Sequence, residues 1–148
     1  MNLKKKRSKK RKINYKSSFY TKYLCQYHII WCSKFRYPVL KNETRDKLIE
    51  IIKDIADRYN YEIIEYEVMP DHIHLFIGAK PTVAPIDIVR TIKSISAIKM
   101  FKAFPKLKQF YSKCGSLWSV GKFISTIGKV SENTIKKYIQ EQTNGKET

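Results

Sequence analysis

From Tyr23 onward the chain alternates between two apolar periods. The run Tyr23 to Ser33 (YLCQYHIIWCS) is aromatic and β-branched and predicts a strand. Leu48, Ile51, Ile52, Ile55, Ala56 and Tyr59 then recur at helical spacing, with Asn42 placed to cap the helix they define. Tyr61 to Val68 (YEIIEYEV) predicts a second strand, Met69-Pro70-Asp71 a turn, and His72 to Gly78 (HIHLFIG) a third strand. Pro81 and Pro85 punctuate a loop, after which Ile88, Ile92 and Ile95 mark a second helix running to about Phe104. A looser stretch, Pro105 to Gly115, leads to a last strand over Lys122 to Ile127. Ser131 caps a final helix with Ile135, Tyr138, Ile139 and Gln142 on one side. The order β-α-β-β-α-β followed by a helix predicts an α+β, ferredoxin-like fold: an antiparallel sheet, two helices on one face, and an additional C-terminal helix. The other sheet face is expected to stay open for a ligand. The superfold hosts many activities, so the site must supply the function.

Charge narrows the partners. Among 148 residues there are 30 Lys+Arg against 13 Asp+Glu, a formal net charge of +17 that points to a polyanion, nucleic acid before an acidic membrane surface. The first 18 residues hold nine Lys or Arg and no acid, which predicts a disordered basic tail over residues 1–20 and a folded domain over 21–148. Such a tail can be a solvated segment, an arm that tracks phosphates, or both. Three cysteines without a CxxC pair argue against a disulfide framework or a zinc ribbon and for a reducing compartment. No apolar run is long enough for a membrane span and no apolar stretch follows the basic N-terminus, so a cytoplasmic protein is expected.

The candidate chemistry lies in two places. His72 and His74 are two of only three histidines, and the period of a strand puts them on one face, opposite Ile73, Leu75 and Ile77. Two neutral imidazoles side by side can clamp a metal; two exposed polar residues on an outward face is the plainer alternative. His28, alone in its strand, reads as structural. On the last helix Tyr138 and Gln142 are one turn apart and share a face. A tyrosine can attack phosphorus and form a covalent phosphotyrosine, and a glutamine carbonyl can complete a metal site; a core tyrosine beside Ile135 and Ile139 explains the same residues without chemistry. Lys136 and Lys137 stand beside Tyr138 as candidate phosphate contacts. Lys34, Arg36, Arg90, Lys93, Lys99 and Lys122 are further candidates for holding a DNA strand. Phe35, Tyr37 and Trp118 are candidates for stacking on unpaired bases, while Trp31 is assigned to the core.

Four blocks, taken together, carry a resemblance. YHIIWCSKFRYPVL (Tyr27 to Leu40), VMPDHIHLFI (Val68 to Ile77), LWSVGKFISTIG (Leu117 to Gly128) and TIKKYIQEQ (Thr134 to Gln142) resemble, in order, the small single-tyrosine transposases of the HUH superfamily, the insertion-sequence 200/605 type. The resemblance spans about Tyr23 to Gln142, and the basic tail lies outside the family pattern. It implies that His72, His74 and Gln142 hold Mg²⁺ or Mn²⁺ and that Tyr138 is the nucleophile on a catalytic C-terminal helix. It implies a homodimer that cuts and rejoins single-stranded DNA at hairpin-bearing element ends through a 5′-phosphotyrosine. A domesticated repeat-associated transposase and a rolling-circle-type nickase share that chemistry. A non-catalytic basic nucleic-acid-binding protein explains the charge and fold but leaves His72, His74 and Tyr138 as coincidence.

Overall fold

The structure is a computed structural model that describes residues 15–17 and 22–127, with 137 and 140 beyond them. A short antiparallel pair, β1 (Lys16–Ser17) against β2 (Lys22–Tyr23), precedes the main body. β3 (Cys25–Ser33), β4 (Glu62–Val68), β5 (His72–Ala79) and β6 (Trp118–Thr126) form one sheet in the order β4-β5-β3-β6, every pairing antiparallel. With α1 (Glu43–Tyr59) and α2 (Pro85–Ala103) at the two crossovers, this is the ferredoxin-like arrangement expected from the chain order.

Both helices pack on one face. Leu48, Ile51, Ile52 and Ile55 of α1 and Ile88, Val89 and Ile92 of α2 are buried against Ile29, Trp31, Ile73, Leu75 and Ile77 of the central strands. The helical period and the strand period thus meet in one core, which holds β3 and β5 rigidly at the centre of the sheet.

Several local expectations are revised. Asn42 occupies the position before α1 with φ 53° and makes no side-chain cap. The turn is closed instead by Thr44, whose hydroxyl accepts the Lys41 N–H at 3.0 Å and donates to Val39 O at 2.6 Å. Tyr59, at the end of the apolar series, is exposed because it lies in the last turn, past the sheet. The stretch after Phe104 contains a short helix, α3 (Pro105–Phe110), started by a proline at its first turn and anchored by buried Leu107. β6 begins at Trp118, four residues earlier than its apolar text suggests, because Trp118 pairs with Ser33 beyond a register shift between Trp31 and Ser33. Ser131, Ile135, Tyr138, Ile139 and Gln142 lie outside the described residues, as do residues 1–14 of the tail. Lys137 and Gln140 are helical and exposed.

Candidate active site

The register of the central strands defines the face opposite the helices. Cys32 pairs with His72, Ile30 with His74 and His28 with Phe76, so these six side chains share that face, as His72 and His74 were expected to. The face is not open throughout. His74 is 2% exposed and Phe76 is fully buried in a small cluster with Ile127 and Ile64, because an apolar patch there flanks the histidines.

His72 sits at the start of β5, half-buried. Its Nδ1 is 2.7 Å from Asp71 Oδ1, and Arg36 Nη2 lies 3.2 Å from the other carboxylate oxygen. Partial burial pushes the Asp71 carboxyl up, but the hydrogen bond and charge of His72 and the charge of Arg36 outweigh this and leave it below its ordinary range. An ionised carboxylate only accepts, so His72 Nδ1 is the donor. That fixes the ring and makes Nε2 the nitrogen it presents to the site.

His74 is held by a residue that the sequence reading assigned to structure alone. His28 Nε2 is 3.1 Å from His74 Nδ1, and the rings stack with centroids 5.4 Å apart. Phe76 stacks on His28 at 5.0 Å and Phe123 meets its edge at 6.1 Å. Burial lowers the His28 pKa and keeps the imidazole neutral. The His72 and His74 rings are 5.1 Å apart and nearly perpendicular. Each therefore uses Nδ1 for a neighbour, which leaves Nε2 as the atom each would give a metal. His28 was missed because its approach to His74 is diagonal across the β3–β5 pairing, and that register is a long-range fact. The parity of YHIIWCS was the available signal.

A turn beside the site carries strain. Phe35 and Arg36 both have left-handed backbone, at φ 57° and 52°, a conformation that costs about 1–3 kcal/mol at each such non-glycine residue. The turn is held at both ends: Lys34 N–H donates to Leu117 O at 2.7 Å, the buried Tyr111 hydroxyl donates to Lys34 O at 3.0 Å, and Ser33 Oγ donates to Tyr37 O at 2.7 Å. Burial pushes the Tyr111 hydroxyl up to about 12.

The candidate strand contacts fall into two groups. Lys34 and Arg36 are on this turn, next to Asp71 and His72. Arg90, Lys93 and Lys122 line a groove of about 630 Å³ between α2 and β6, on the helix side of the sheet. There Lys93 Nζ donates to Ser119 O at 2.6 Å, and burial, followed by the charge of Lys122, lowers its pKa. Lys99 instead pairs with Asp54 at 3.4 Å. Trp118 is not a stacking platform: it is buried, meets Trp31 edge-on and donates its indole N–H to Ser96 Oγ at 3.1 Å. Trp31 is in the core as expected. Lys137 is exposed, and Lys136 lies outside the described residues.

The donor set suits a divalent ion through its two imidazoles. Among the described residues no cluster of three or more His, Cys, Asp or Glu is arranged to hold a metal, so a further protein ligand has to come from another residue type or from another part of the chain. No helix among the described residues is long and apolar enough to cross a membrane.

A ferredoxin-like sheet with an HxH strand at its centre, on a strongly basic chain, fits a protein that handles nucleic acid. Comparison with known proteins makes this definite. The model of the family described as transposase IS200 like matches residues 21–142, and the chain belongs to that family. It is 42% identical over 120 residues to the ISDra2 transposase TnpA of Deinococcus radiodurans, covering 81% of this chain and 85% of the relative. It is 28% identical over 127 residues to the transposase for insertion sequence element IS200 of Salmonella typhimurium, covering 86% and 82%. The crystal structure of a candidate transposase from Deinococcus radiodurans R1 is similar with a TM-score of 0.70 at 39% identity, covering 86% of this chain and 96% of that one. A REP-associated tyrosine transposase bound to a REP hairpin shares the fold, with a TM-score of 0.55 at 19% identity over 87% of this chain and 75% of that one. The chain is thus a DNA-processing transposase by family.

Proposed function

We propose that this transposase cuts and rejoins single-stranded DNA at hairpin-bearing element ends, using Tyr138 as nucleophile and a divalent ion at His72, His74 and Gln142. The observation that carries the reading is the pair of imidazoles on one strand, each with Nδ1 engaged and the two rings 5.1 Å apart. A bound Mg²⁺ or Mn²⁺ would polarise the scissile phosphate and neutralise the charge that develops on it.

The chain's own residues do the rest. Asp71 accepts from His72 Nδ1, and His28 Nε2 meets His74 Nδ1, so each ring is oriented through Nδ1 and would offer Nε2 to the ion. The Tyr138 hydroxyl oxygen forms the new bond to phosphorus and gives up its proton, helped by the field of a bound ion or of a neighbouring lysine, while Lys136 and Lys137 hold phosphates. The bond from phosphorus to the 3′ oxygen breaks, and that oxygen leaves as a 3′-OH after taking up a proton. A second strand's 3′-OH later attacks the 5′-phosphotyrosine, restores the phosphodiester and returns the proton to Tyr138. One phosphoester replaces another at each step, so no nucleotide hydrolysis is needed. Lys34, Arg36, Arg90, Lys93 and Lys122 hold the backbone of the DNA.

A homodimer is part of this reading. Among the described residues β6 is an edge strand, and Val120 on it is 83% exposed, a position suited to meeting a second copy. Three free cysteines accord with a reducing, cytoplasmic setting. The test is cleavage of single-stranded oligonucleotides from the flanks of the gene, with and without Mg²⁺ or Mn²⁺. Wild type is expected to cut one of them only with metal. His72→Ala and His74→Ala are expected to abolish cleavage while still retarding the DNA in a native gel. Undiminished cleavage by both variants would remove the histidines from the mechanism.

A further inference from the structure

We infer that Phe35, Tyr37 and Phe110 form a stacking platform that takes an unpaired nucleobase of the DNA strand beside the histidine site. This rests on single-stranded DNA being the substrate. Three large aromatic rings are left outside the core here: Phe35 is 62%, Tyr37 45% and Phe110 57% exposed. They are not scattered. Phe35 and Tyr37 have centroids 5.7 Å apart, and Tyr37 meets Phe110 edge-on at 5.3 Å. Buried Tyr111 backs the group, 5.0 Å from Phe110. A contiguous aromatic surface in water is costly to keep unless a ligand covers it.

The backbone beneath it is strained in the service of that exposure. Left-handed φ at Phe35 and Arg36 turns the Phe35 ring out to solvent, and the hydrogen bonds from Lys34, Ser33 and Tyr111 hold the turn in that state. The surroundings select a polyanion as occupant. Lys34 Nζ lies 5.3 Å from the Phe35 centroid, and Lys106 and Lys108 on α3 are exposed nearby in sequence to Phe110. A base presents a flat face to an aromatic ring while its phosphates meet these cations, which an uncharged apolar partner does not. The platform is also joined to the site. Arg36 binds one oxygen of Asp71 and His72 binds the other, at 3.2 and 2.7 Å. A base stacked on Phe35 thereby positions its strand relative to the ring of His72. The shape is read, not the base identity, so the platform accepts any base.

The test uses the full-length protein and two probes of equal phosphate count: oligothymidylate and a fully abasic strand. Wild type is expected to bind the thymidylate about tenfold more tightly. Phe35→Ala and Phe110→Ala, checked for unchanged thermal unfolding, are expected to bind both probes alike, and Phe35→Trp to restore the preference. Retention of the full preference by both alanine variants would overturn the platform and leave the transposase reading intact. Equal binding of both probes by wild type would overturn the platform alone; failure of wild type to bind either probe or a single-stranded oligonucleotide from the element's flanks would overturn the single-strand reading and the platform with it.

Discussion

At the scale of single residues, the site depends on groups one step removed from the expected ligands. His28 touches His74, and Asp71 touches His72. Removing such a neighbour typically weakens a metal site about 10–100-fold. His28→Phe keeps the stacking between Phe76 and Phe123 but has no ring nitrogen, so Mn²⁺ affinity measured by electron paramagnetic resonance is expected to fall by about that factor. His28→Gln, which places a polar atom where Nε2 stood, is expected to recover most of it. Tyr111 gives a second residue-scale prediction. Its hydroxyl pins Lys34 O, and its pKa is raised from 10.0 to about 12 by burial. The unfolded chain therefore loses this proton first, so the stability tied to the neutral hydroxyl is complete below pH 10 and drains away between pH 10 and about 12. Tyr111→Phe is expected to cost about 1 kcal/mol at neutral pH and to flatten the alkaline limb of a urea-unfolding series.

At the scale of elements, β5 was the most legible part of the chain. The alternation of HIHLFIG placed Ile73, Leu75 and Ile77 in the core and both histidines opposite, as found. The positions Leu48, Ile51, Ile52, Ile55 and Ala56 were likewise legible as the buried stripe of α1. What could not be read was the pairing between elements: which residue of β3 lies across from which residue of β5. The pairings of β3 with β5 and β6, not local period, put His28 beside His74 and bring Trp118 against Trp31. The strained turn after Ser33 was hidden for the same reason, since it is held by Leu117 and Tyr111 from far along the chain. β6 carries its own prediction. A lysine on an edge strand opposes pairing with another copy. Val120→Lys is expected to shift light-scattering mass from dimer toward monomer with little loss of thermal stability, because the side chain is 83% exposed.

At the scale of the whole molecule, the described basic residues proposed to hold DNA lie on surfaces that face different ways. Lys34 and Arg36 flank the histidine site, whereas Arg90, Lys93 and Lys122 line the groove on the helix side. A strand held by both must bend around the edge of the sheet, or the two groups must hold different parts of the DNA. Neutralising Arg90, Lys93 and Lys122 to Gln is expected to lower the slope of log affinity against log salt by about 0.7 for each single-strand phosphate that the variant no longer neutralises. An unchanged slope would take the groove out of the interface.

The central claim is that Tyr138 becomes covalently joined to DNA. The direct measurement is capture of a labelled single-stranded oligonucleotide from the element's flank on a denaturing gel, with Mg²⁺ or Mn²⁺, for wild type and Tyr138→Phe. The account predicts a protein-sized labelled band that needs metal, appears with wild type and is absent from Tyr138→Phe. An undiminished covalent band with Tyr138→Phe would contradict it, and the nucleophile would have to be sought elsewhere in the chain.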